Sequence, residues 1–201
     1  MIALAKLLAY QLHLTKRGSQ VAEQFLRRLR RINRVVAIIV GMIFLACAGL
    51  VLVDIVLRRL GTSLGGTDEI SGYVMAIGTA WGMAFALLEL SHVRIDFLRS
   101  NVSAKWRSYM DLFSMFALAS TILIIAVQCW PVVATTIQND SRANTPLETP
   151  LVLVQVPWFA GWVWFAFMSW LTFMAGVVMV WKGQLEQSEG FIGVFPEVEK
   201  N

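Results

Sequence analysis

Charged residues are scarce in this chain. Of its 201 residues, 15% are Asp, Glu, Lys or Arg and 57% are hydrophobic, against about 25% charged and under about 50% apolar in an ordinary soluble domain. That deficit argues against a globular enzyme, a disordered protein and a soluble binding module. Cysteine is nearly absent, and two residues exclude a disulfide scaffold and a zinc ribbon. The two histidines, His13 and His92, lie outside the long apolar runs. A bis-histidine haem held inside a helical bundle is therefore excluded. The chain also lacks a Gly-rich phosphate loop, a Ser-His-Asp set and a metal-ligand cluster. No catalytic residue, cofactor or metal ligand is expected. The net charge of +4 on so hydrophobic a chain speaks of topology rather than of nucleic acid.

What is present is four long apolar runs, at about 35–57, 70–90, 109–133 and 157–181. Each is long enough to cross a hydrocarbon core of about 30 Å at about 1.5 Å per residue. In lipid such runs must be helices, because only a helix satisfies its own backbone groups. The expected fold is all-α: a four-helix membrane domain over 35–181, a cytoplasmic arm over 1–34 and a cytoplasmic tail over 182–201. Charge sets the orientation. Fourteen of the 17 basic residues fall in the arm, in the loop after the second run and in the tail, leaving Arg58, Arg59 and Arg142 on the other side. The positive-inside rule then places both termini in the cytoplasm. Trp130, Trp158, Trp162 and Trp164 are expected near the outer face and Trp181 near the inner one.

Within the arm, Val21, Ala22, Phe25, Leu26, Leu29 and Ile32 recur at helical spacing, with Gln24, Arg27, Arg28 and Arg31 opposite. This pattern reads as a separate basic amphipathic helix in the cytoplasmic interface. A solvated arm that only fixes topology is the plainer alternative. Residues 1–14 are apolar but unassigned, and a secretory signal fits poorly, since no small-residue cleavage site follows the first run.

A transporter of polar solutes keeps polar groups at mid-membrane. Here the ionisable residues within the runs, Asp54, Glu89 and Asp111, each lie within about 5 Å of a run's end. All three are expected to reach headgroups or water. Local pairing is available to Asp54 from Arg58 and to Asp111 from Arg107, both four residues away. Cys47 and Cys129 are expected about 12 Å apart in depth, too far for an undistorted disulfide.

The second run carries a row of small residues, Gly72, Ala76, Ala80 and Ala84, beside Gly78, Gly82 and Ala86. Small-xxx-small rows let helices approach closely in lipid, so this run is the candidate for the buried centre. It opens with Thr67-Asp68-Glu69 after Gly65-Gly66, where acids suit a helix N-terminus. Asp68 and Glu69 are expected to face Arg58 and Arg59 across the short outer turn. The longest outer segment, 134–156, holds Arg142 and Glu148. Pro131 is expected to bend the end of the third helix, and Pro157 to sit in the first turn of the fourth. The apolar stretch 151–154 is too short to cross, and dips into the interface or packs on another protein.

Taken in order, these features resemble the small membrane subunit (DctQ-like) of tripartite ATP-independent periplasmic (TRAP) transporters. The resemblance covers about residues 35–181. It rests on Arg58-Arg59 after the first run, Asp68-Glu69-Ile70-Ser71 opening the second, and the Gly82/Ala84 region. It further uses His92-Val93-Arg94-Ile95-Asp96, Thr145-Pro146 and Pro157-Trp158 leading to Gly161. The resemblance implies an accessory subunit of the bacterial inner membrane. Its partners are a large elevator-type permease that holds the substrate and sodium sites and a periplasmic binding protein that captures an organic acid. Arg58, Arg59, Asp68, Glu69, Gly78, Gly82, His92, Arg94 and Asp96 become candidates for the subunit interface or its bracing. Arg142 and Glu148 become candidates for contact with the binding protein. The competing readings are a stand-alone four-span transporter, which wants an acid well inside a span, and a membrane anchor of another complex, which wants intramembrane histidines or a cofactor motif.

Overall fold

The computed structural model describes residues 2–89 and 104–181, with side chains from Arg28 onward and, on the third helix, from Trp106 onward. Four helices account for nearly all of it: α1 (Ile2–Arg59), α2 (Thr67–Leu88), α3 (Ala104–Gln138) and α4 (Val152–Trp181). All four are long and apolar enough to cross a membrane. The only extended pairing among the described residues is one isolated bridge, Arg142 to Pro150.

The boundaries differ from expectation in three places. The basic arm is not a separate element, because α1 runs through it into the first span without a break. No proline or glycine pair interrupts 19–40, so nothing in the backbone stops propagation there. The third helix does not stop near residue 133 but continues to Gln138, with Pro131 inside it. The stretch 151–154 is the start of α4, which places Pro157 in the second turn of the helix. Backbone bonds from Val154 and Gln155 to the Leu151 carbonyl, at 3.1 and 2.8 Å, build that first turn. The missing Pro157 N–H leaves only the carbonyl one turn earlier without its helical donor.

The helices pack in the row α1, α2, α4, α3; α1 touches α4 only slightly. The centre of burial is α4 and not the small-residue helix α2: 39% of the most apolar stretch of α4 is buried against 22% for α2 and 6% for α1. The reason lies in what α4 offers. Phe165, Met168 and Met179 are almost wholly covered, and they pack with Ala84, Leu87 and Leu88 of α2 and Met115 and Ile122 of α3. Buried Ser169 and Thr172 return their hydroxyls to the Phe165 and Met168 carbonyls, each at 2.8 Å, so neither is left unsatisfied. What the glycines and alanines of α2 supply is close approach. Gly161 of α4 lies against Ala80 and Trp81, and Phe44 of α1 lies on Gly78.

Candidate functional site

The polar chemistry collects at the two ends of the row. At the end that the charge pattern assigns to the outer face, and that is called outer for that reason, α1 turns into α2 through 60–66, and Asp54 organises the turn. Its Oδ2 accepts from Arg58 Nε at 2.7 Å. Its Oδ1 accepts from the Ser63 hydroxyl at 3.0 Å and the Leu64 amide at 2.8 Å. Asp54 is only 2% exposed. The expected pairing with Arg58 is present, but the expected reach to water is not, because the turn folds back over the carboxylate. Asp111 is likewise buried. A carboxylate that accepts three hydrogen bonds, one from a cation, tolerates burial.

Arg58 also reaches the exposed Asp68, Nη2 to Oδ2 at 3.4 Å. Arg59 is exposed and forms no ion pair among the described residues. Glu69 meets neither arginine, which corrects the expected brace. The Tyr73 hydroxyl, one helical turn on, donates to Glu69 Oε1 at 2.6 Å. Oε2 is buried and has no well-formed hydrogen bond of its own. The hydroxyls of Thr145 and Thr149 and the amide of Leu147, all from the outer loop, are the donors beside this carboxylate.

That loop is therefore seated on the α1–α2 turn. The Leu147 side chain rests on Gly66, whose φ of +70° a residue with a Cβ rarely adopts. A short ribbon closes the loop: Ala143 N–H to Thr149 O at 2.9 Å and Leu151 N–H to Ser141 O at 3.0 Å. Glu148 sits at φ +46°. Arg142 and Glu148 are both exposed.

At the other end Arg34 of α1 lies 3.9 Å from Glu89, the residue that closes α2. Next to it Asn33 is fully buried. Its Oδ1 accepts from Trp164 Nε1 at 2.9 Å. Asn33 is about 39 Å along α1 from Arg59, so the Trp164 indole joins α4 to α1 well away from the α1–α2 turn. Trp81 stacks on Trp164 at 6.3 Å and donates to the Pro157 carbonyl at 3.0 Å. Together these contacts tie α1, α2 and α4.

Of the candidate residues, the structure brings Arg58 and Asp68 together and places Glu69 beside them under the loop. Gly78 is packed, whereas no described residue beyond its own stretch of helix lies within 4 Å of a Cβ built at Gly82. His92, Arg94 and Asp96 lie outside the described residues. Sequence reasoning missed Asn33, Ser63, Tyr73, Thr145 and Thr149. It surveyed ionisable groups, and these are neutral; only the i, i+4 spacing of Glu69 and Tyr73 was a usable signal. Cys47 and Cys129 are both free thiols, as their depths implied.

Comparison with known proteins adds one finding. The family model for the DctQ component of tripartite ATP-independent periplasmic transporters matches residues 47–169, more than half of the chain. No curated protein and no solved structure matches the chain. The matched stretch contains the whole outer cap, from Asp54 to Tyr73 and from Arg142 to Pro150.

Proposed function

The chain belongs to the DctQ component family of TRAP transporters, and on that footing we propose that it is the small accessory membrane subunit of such a transporter. It packs on the large elevator-type permease and stabilises it during ion-driven, binding-protein-dependent uptake of an organic acid. Substrate and sodium sites belong to the permease and solute capture to the binding protein. The family is one of transporter components and not of enzymes. The chain resides in the bacterial inner membrane with both termini cytoplasmic, and the arginines of residues 27–34 lie at the inner headgroups.

The observation that carries this reading is the form of the helix row. The outermost helix α1 covers little of itself within the chain, and the buried carboxylate Asp54 is spent on closing a turn rather than left open to a solute. Such a chain offers surface to a partner, and its described residues hold no open mid-membrane charge for a polar solute. Proteoliposomes decide it. The chain alone gives no uptake; permease, chain and binding protein together give ion-driven uptake. Robust uptake by the chain alone overturns the proposal.

A further inference from the structure

A narrow apolar groove runs between α1 and α2. Val36, Ile39 and Ile43 form one wall and Val74, Ile77 and Trp81 the other, around a volume of about 330 Å³. Phe44 packs on Gly78, one of the residues that line the groove. Its walls are mostly β-branched side chains, whose restricted χ1 angles give the groove a fixed shape. No described residue of the chain fills it.

Size and charge select the occupant. Along the roughly 10 Å of helix from Val36 to Ile43 that volume averages about 30 Å² in section, in a groove that stays half open along its length. The groove suits a single extended hydrocarbon chain. Below Val36 the apolar stripe continues at helical spacing through Ile32 and Leu29, and exposed Arg28 flanks it. Arg28 lies about 12 Å below Val36 along the axis, where the phosphate of a lipid with its tail in the groove would sit. Arg31, also exposed on these turns, adds to the positive charge, while Arg34 lies 3.9 Å from Glu89, the carboxylate at this end of the groove. The far end of the groove, at Ile43 and Val74, has no charged neighbour in sequence.

We propose that the α1–α2 groove holds one acyl chain of an anionic phospholipid whose phosphate is engaged by Arg28. The lipid fills the space that Phe44 and Gly78 leave between the two helices and joins the least-covered helix to the rest of the row. Its headgroup charge selects it and its tail fixes its position.

The test uses the full chain in nanodiscs doped with phosphatidylglycerol that carries a photoreactive diazirine in one tail. Labelling is expected to concentrate on residues 36–43 and 74–81. It should exceed that from phosphatidylcholine of the same tail by about fivefold, as expected for one basic residue at an anionic headgroup. Val40→Phe, which fills the groove, lowers this labelling several-fold. Arg28→Gln keeps tail labelling but removes the preference for phosphatidylglycerol. Labelling spread evenly over exposed α1 positions such as Leu45 and Leu52 overturns the proposal, and so does equal labelling by the two lipids. Because the labelling map of the unaltered chain already decides, a variant that fails to fold does not rescue it. A Val40→Cys variant that cross-links to the permease in the assembled complex also overturns it, since a protein then occupies the groove.

Discussion

Asp54 and Asp68 show how position decides what a carboxylate is worth. Both meet Arg58, but Asp54 is 2% exposed and accepts two further bonds, whereas the Asp68 side chain is 91% exposed. Exposed pairs are screened by water and salt and contribute little; a buried acceptor that loses its charge leaves several donors poorly matched. Asp54→Asn is therefore expected to lower the thermal midpoint of the purified protein clearly, and Asp68→Asn hardly at all. Equal effects would mean that the turn is open to water. Glu69→Gln and Arg59→Gln are expected to act additively, since they share no contact. At the inner end, Trp164→Phe removes one hydrogen bond and strands the buried Asn33 Oδ1, at a cost of about 1–3 kcal/mol. Adding Asn33→Leu should recover much of that loss, because removing both partners leaves nothing unpaired. Thermal unfolding of the two single variants and the double variant measures it.

Helix existence was legible because run length alone dictates it in lipid. Helix order and centrality were not. The small residues of α2 were visible in sequence, but they mark close approach rather than burial, and bulky α4 side chains fill the centre instead. The join of arm and first span was missed because a change from polar to apolar surface breaks no backbone hydrogen bond. The Glu69 part of the outer brace was misassigned because charge pairing was sought, while Glu69 accepts from the Tyr73 hydroxyl and lies beside donors of a loop more than 70 residues away. Two glycines separate packing within the chain from packing on a partner. A Cβ at Gly161 would lie 3.1 Å from the Ala80 backbone carbonyl carbon, and at Gly82 it would meet no described residue beyond its own stretch of helix. Gly161→Ala should force α2 and α4 apart, costing about 1–3 kcal/mol as overpacking does. Gly82→Leu should leave the isolated chain as stable as before. If Gly82 lies against the permease, that same variant lowers co-purification of the large subunit; unchanged co-purification removes Gly82 from the interface.

For the whole molecule, the outer cap joins the two segments that leave the same end of the row. The α1–α2 turn is closed by Asp54, the 140–150 loop is closed by its ribbon, and Leu147 on Gly66 locks one to the other. A loop held in this way loses little entropy when a partner docks, and Arg142 and Glu148 on it are exposed. If the binding protein docks here, reversing both charges should slow its association and change the salt dependence of uptake while assembly with the permease stays intact, because rim charges act chiefly on encounter. Leu147→Ser provides the contrast. It keeps the charges but releases the loop from Gly66, so it should weaken docking with little change in salt dependence. Uptake driven by the complete set of three proteins, measured across ionic strengths for both variants, separates the roles. An unaltered salt profile after charge reversal would leave the loop as a structural clasp on the α1–α2 turn, with the docking surface elsewhere on the assembly.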